Sequence, residues 1–108
     1  MSMPAVLLAI AIASEVAGTV ALKYTEGFTR LGPSTAVVLG YGLSFWMLAL
    51  VLRDLPIGLT YAVWAAAGTA LIAAIGIVAF GEPATTLKLL SLGLIIAGVV
   101  GLNMAGSH

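Results

Sequence analysis

The stretch "AIAIASEVAGTVALKY", residues 9–24, decides the fold. It is built from Ala, Ile, Val, Leu and Gly, suited to hydrocarbon, yet a carboxylate, Glu15, stands at its middle. Extended back to Pro4, the apolar run covers residues 4–22, close to the roughly 20 residues that a helix needs to cross a bilayer. A charge near the centre of such a helix costs about 2.5–3.5 kcal/mol on insertion scales, and an acid placed there is by default a functional-site hypothesis. The alternative is a protonated acid hydrogen-bonded to a neighbouring helix.

The rest of the chain has the same character. Of its 108 residues 62% are hydrophobic and 7% charged. A water-soluble domain carries about 25% charged residues, so this chain cannot coat itself for water. Three further runs, residues 33–52, 57–80 and 86–105, are again of spanning length. The connectors "KYTEGFTRLG", "RDLP" and "GEPAT" hold charge together with Gly or Pro, as expected where helices end and backbone reaches water. The expected architecture is an all-α membrane protein, one transmembrane domain over residues 1–108 with four helices joined by short loops. The N-terminal "MSMPAVLLAIAIAS" lacks the basic region of a signal peptide and runs into Glu15, so it reads as a retained first span.

Four Lys/Arg balance four Asp/Glu, which leaves neither a nucleic-acid footprint nor a polybasic lipid patch. There is no cysteine, and the single histidine is His108, so the usual disulfide, thiol and zinc chemistries have no residues to work with. No metal site and no enzyme activity is expected. Ser44 or Thr19 as a nucleophile would find no base other than Glu15. Lys23, Glu26, Arg30, Arg53, Asp54, Glu82, Lys88 and His108 all lie in or beside connectors and tails; Glu15 alone is deep. Lys23, Arg30 and Lys88 on one side against Arg53 on the other make a small positive-inside bias, which permits insertion in both orientations.

At about 100° per residue, Glu15 shares a face with Leu8, Ala11, Ile12, Gly18, Thr19 and Leu22. Ala11 and Gly18 leave room beside the acid, and Thr19 offers a hydroxyl one turn on. In the second run "GYGLSFWML" places Tyr41, Ser44, Phe45 and Leu48 on one side, with Trp46 elsewhere. In the third, "LTYAVWAAAG" spaces Tyr61, Trp64 and Gly68 at i, i+3 and i+7. Tyr61 suits either an interfacial belt or a site; Trp64 is deeper, and a carboxylate beside aromatic faces suits a lipophilic or quaternary cation. In the fourth, "LSLGLIIAGVVGLNM" carries Ser91, Gly98 and Gly101 as a small-residue stripe, fit for packing within one bundle or for a subunit contact. One four-helix protomer has little room for a drug-sized cavity and no inverted repeat. Two copies inserted oppositely would supply both, with two Glu15 side chains on one cavity.

"SEVAGTVALKYTEGFTRLGPS" and "LPIGLTYAVWAAAGT" are similar to the glutamate-centred first helix, the Gly-Phe-Thr-Arg-Leu loop and the Tyr-Ala-x-Trp third helix of the small multidrug resistance family, and the resemblance spans nearly the whole chain. It implies an antiparallel, dual-topology homodimer in the cell inner (plasma) membrane, multi-pass, which exchanges protons for cationic small molecules. No cofactor is implied, the proton gradient supplying the energy. Glu15 from both subunits would bind proton and substrate. Leu8, Ala11, Ile12, Gly18, Thr19, Tyr41, Ser44, Phe45, Tyr61 and Trp64 would line the pocket, and Ser91, Gly98 and Gly101 would make the dimer contact. Gly18, where the guanidinium-exporting branch tends to carry tryptophan, points to the quaternary-cation branch. The chain departs from the family pattern at Ala66-Ala67-Gly68, one glycine short, and at Ser91, which replaces a glycine. A guanidinium-selective exporter and a non-transporting membrane assembly subunit are the alternatives.

Overall fold

A computed structural model describes residues 2–105, so Met1, Gly106, Ser107 and His108 lie outside the described residues. Four helices follow in order, α1 Met3–Lys23, α2 Leu31–Val51, α3 Ile57–Ala79 and α4 Thr86–Met104. They hold 21, 21, 23 and 19 residues, so each is about 28–35 Å long at 1.5 Å per residue, enough for a hydrocarbon core of about 30 Å. All four are apolar enough to cross a membrane. Side chains such as Val78, Leu94 and Met104 are exposed along them, and hydrocarbon is the solvent that accepts such surfaces at no cost to the backbone, whose polar groups are satisfied inside each helix.

The chain divides into two compact units, Met1–Asp54 and Leu55–His108, each a helical hairpin. In the first, α1 begins at the N-cap Ser2, whose Oγ accepts from the Ala5 amide at 3.3 Å, which fills one of the amides that a helix start leaves bare. Lys23 in its last turn matches the negative end of the helix dipole. The expected second run starts at Pro33, but α2 starts two residues earlier at Leu31. Proline is tolerated there because first-turn amides have no partner within the helix.

The α1–α2 loop is organised by Thr25, which is buried. Its hydroxyl donates to the Leu22 carbonyl at 2.9 Å and accepts from the Phe28 amide at 3.2 Å. Its carbonyl accepts from the amides of Thr29 and Arg30 at 2.9 and 3.1 Å. These bonds hold Glu26, Gly27 and Phe28 at φ 50°, 72° and 67°, a left-handed run that costs each non-glycine residue about 1–2 kcal/mol. α1 and α2 cross at a pair of glycines. A Cβ on Gly40 would stand 3.0 Å from the Ser14 carbonyl oxygen and 3.1 Å from Gly18 Cα, so backbone meets backbone there.

In the second unit α3 packs on α4, and both begin abruptly. Pro56 precedes α3, while Thr85 caps α4 by accepting the Lys88 amide at 3.1 Å. At the end of α3 the Gly76 carbonyl accepts the amides of Phe80 and Glu82 at 3.1 and 3.0 Å. Gly81 at φ 69° reverses the chain, and the Glu82 carboxylate folds back onto Gly76, where a Cβ would collide with it. The two alanines of the Ala66-Ala67-Gly68 segment line an open apolar crevice of about 220 Å³ facing Ile96, Val99 and Val100 of α4.

Candidate functional site

Glu15 sits at the middle of α1, half-buried. Thr19, one turn along, donates its hydroxyl to Glu15 Oε1 at 3.0 Å, and the Thr19 oxygen lies 2.7 Å from the Tyr41 hydroxyl of α2. The two helices therefore share a polar chain of three groups inside an apolar pair. Its reach across to α2 depends on the glycine crossing. A Cβ on Gly18 would stand 3.1 and 3.2 Å from Tyr41 Cδ1 and Cε1, so the Tyr41 ring fills the space that Gly18 leaves. That corrects the simple picture of Gly18 as open room beside the acid: within the chain the room is taken by a tyrosine ring. Phe45, one turn further on α2, continues the aromatic face, with ring centroids 6.5 Å apart and planes at 44° to Tyr41.

The other expected site residues separate into groups. Leu8, Ala11 and Ile12, on the Glu15 side of α1, are buried, and so is Ser44, whose hydroxyl has no hydrogen-bond partner. Phe45 is exposed. Tyr61 and Trp64 belong to the second unit and form their own ring pair, 6.2 Å between centroids and inclined at 46°. Tyr61 is exposed and Trp64 half-buried. On α4, Ser91, Gly98 and Gly101 are all exposed, and a Cβ on either glycine would meet nothing within 4 Å. No residue of α4 is buried.

Two further residues, unmarked in the sequence by charge or spacing, matter here, one in each unit. Gly40 makes the α1–α2 crossing, and Thr60, beside Tyr61, is buried with an unpartnered hydroxyl. Buried polar groups are almost always bonded, so the Ser44 and Thr60 hydroxyls stand out. A threonine beside the candidate site residue Tyr61 was the available signal for Thr60; nothing marked Gly40 apart from Gly42. Among the described residues no three His, Cys, Asp or Glu side chains gather to hold a metal ion.

This arrangement can do a limited kind of chemistry. A carboxylate that is held by a hydroxyl in apolar surroundings can take up a proton or face a cation.

Comparison with known proteins gives a consistent answer. Residues 3–95 match the family model described as Small Multidrug Resistance protein. The chain is 46% identical over 97 residues to the quaternary ammonium compound-resistance protein QacE of Escherichia coli, covering 90% of this chain and 88% of that one. It is 47% identical over 102 residues to the multidrug resistance protein mmr of Mycolicibacterium paratuberculosis, covering 94% and 95%. It is 43% identical over 102 residues to the quaternary ammonium compound-resistance protein QacG of a Staphylococcus species, again covering 94% and 95%. A four-helix membrane chain with one acid at mid-span, matched over nearly its whole length by such relatives, belongs to the Small Multidrug Resistance family.

Proposed function

We propose that the protein exports lipophilic and quaternary ammonium cations in exchange for protons, with Glu15 as the shared binding group. The observation that carries this reading is the carboxylate itself, half-buried at mid-span and held by Thr19, with the aromatic rings of Tyr41 and Phe45 on the facing helix. The names of the relatives QacE, QacG and mmr, quaternary ammonium compound-resistance and multidrug resistance proteins, point the same way.

The working unit is an antiparallel homodimer. Two observations support it: no residue of α4 is buried within the chain, and its glycines present bare backbone to an incoming helix, the surface by which membrane helices associate closely. Two Glu15 side chains then face one cavity, with Tyr61 and Trp64 contributing aromatic surface that attracts cations. The cation is held by charge and by ring faces and needs no hydrogen bond to an acceptor, which suits a quaternary ammonium group without N–H.

Coupling follows from exclusion. A carboxylate neutralised by a proton has no charge to offer a cation, and one that holds a cation has lost its attraction for a proton. If the protein changes orientation only when loaded with one or the other, the cation leaves as protons enter. Two protons against one monovalent cation move one net charge per cycle, worth about 2.3 kcal/mol per 100 mV.

The test is proton-driven uptake of tetraphenylphosphonium into liposomes containing the wild-type protein or Glu15→Gln. Wild type should accumulate the cation against its gradient and the variant should not. Equal transport by both would refute the role of Glu15, and guanidinium run in parallel would assign the branch.

A further inference from the structure

The three-group chain that joins Glu15 to α2 has a direction, and the direction depends on what Glu15 holds. A threonine hydroxyl has one hydrogen to give, a tyrosine hydroxyl likewise, and an ionised carboxylate none. With Glu15 ionised, the Thr19 hydrogen goes to Glu15 Oε1 at 3.0 Å. The Thr19 oxygen can then only accept across the 2.7 Å contact, so Tyr41 must donate its single hydrogen inward. Tyr41 is left with lone pairs alone for anything on its far side. When Glu15 carries a proton, the acid can donate to Thr19, Thr19 can donate to Tyr41, and the Tyr41 hydrogen is released to point away. Only hydroxyl rotations are required. No heavy atom moves and no proton passes along the chain.

Resting on the exporter reading above, we propose that Thr19 is a positioning residue that reports the protonation state of Glu15 to Tyr41, so that Tyr41 offers a lone pair to a cation when Glu15 is ionised and turns a hydrogen towards it when Glu15 is protonated. The exchange makes proton and cation more exclusive than loss of the carboxylate charge alone would. A half-buried site magnifies the effect, because polar groups interact more strongly where the local dielectric is low. Within one protomer few other charges compete for control, the second Glu15 of the proposed dimer being the other titratable group at the cavity. α2 carries no Asp, Glu, Lys, Arg or His, and Tyr41 is its one titratable side chain. On α1 the charge nearest Glu15 is Lys23, eight residues beyond it and four beyond Thr19, about 12 Å and about 6 Å along the axis.

The experiment is calorimetric binding of tetraphenylphosphonium to the full chain in lipid nanodiscs, from pH 5 to pH 9, for wild type, Thr19→Val, Thr19→Ser, Tyr41→Phe and the Thr19→Val/Tyr41→Phe double variant. Valine keeps the shape of threonine and removes the hydroxyl. One hydrogen bond to a charged group is worth about tenfold or more in an equilibrium. Thr19→Val should therefore bind about tenfold more weakly than wild type near neutrality and approach wild type at the alkaline end. Thr19→Ser should restore the wild-type curve. Tyr41→Phe should shift the curve less, and its shift should become smaller and independent of pH once Thr19 is valine.

A Thr19→Val defect of equal size at every pH would make Thr19 a packing residue and overturn the relay, as would an undiminished Tyr41→Phe shift in the double variant. Should Thr19→Val fail to fold, the infrared C=O stretch of protonated Glu15 in Tyr41→Phe decides: it must shift from wild type, and an unchanged band overturns the proposal. Wild-type binding that ignores pH altogether is a different result, which removes the exporter reading and the relay with it.

Discussion

Gly40→Ala is the sharpest test of how the site is assembled, because Gly42 supplies its own control two residues away. A Cβ on Gly40 would stand 3.0 Å from the Ser14 carbonyl oxygen, 3.1 Å from Gly18 Cα and 3.2 Å from Gly18 N, all of them backbone of α1. None of these atoms can rotate aside, so the helices must part by a few tenths of an ångström. A Cβ on Gly42 meets nothing within 4 Å. Both substitutions gain about 1 kcal/mol of helix propensity over glycine, so that gain cancels in the comparison. Overpacking of a close contact costs about 1–3 kcal/mol, and Gly40→Ala should be less stable than Gly42→Ala by that amount. The parting should also lengthen the 2.7 Å Thr19–Tyr41 contact and weaken cation binding. Reversible unfolding in mixed micelles, followed by tryptophan fluorescence, measures the first effect, and tetraphenylphosphonium titration the second. Equal stability of the two variants within about 0.5 kcal/mol would show that α1 and α2 do not cross at Gly18 and Gly40.

Thr25→Val should destabilise the chain by about 1–3 kcal/mol, since it removes both the donor to Leu22 and the acceptor for Phe28 at the one buried residue of the α1–α2 loop; thermal unfolding that is unchanged would contradict this role. Gly76→Ala, despite the collision of its Cβ with the Glu82 carboxylate, should cost less than about 1 kcal/mol. The obstacle is the end of a flexible, exposed side chain, and a loss as large as that of Gly40→Ala would show that Glu82 is anchored. Trp64→Leu should weaken binding of aromatic cations by about threefold to thirtyfold and that of tetraalkylammonium ions less. An equal effect on both classes in a competition assay would make the Tyr61–Trp64 ring pair a packing feature.

Much of the site was legible because charge and hydrocarbon are incompatible. Glu15 stands out by being the one acid inside an apolar run, and Thr19 by lying one turn from it. Helical spacing also put Tyr41 and Phe45 on a common face, and the rings do sit in sequence along α2. It could not say that Tyr41 meets Thr19 or fills the space over Gly18, since both depend on the register of two helices and no local pattern encodes a register. Thr60 was missed for a related reason. A hydroxyl in an apolar helix usually bonds back to its own turn, as Ser34 and Thr35 do to Arg30 and Leu31, and only the fold reveals that the Thr60 hydroxyl does not.

What the sequence by itself determined is the number of spans, their lengths and the depth of the acid. Each follows from one-dimensional facts, namely how many consecutive residues lipid accepts and where a charge interrupts them. Only the tertiary structure decided which of the two glycines in "GYG" carries the helix crossing and which hydroxyl of α2 reaches Thr19. Gly40 and Gly42 are chemically identical; they differ in that the backbone of α1 lies against the first and open space against the second.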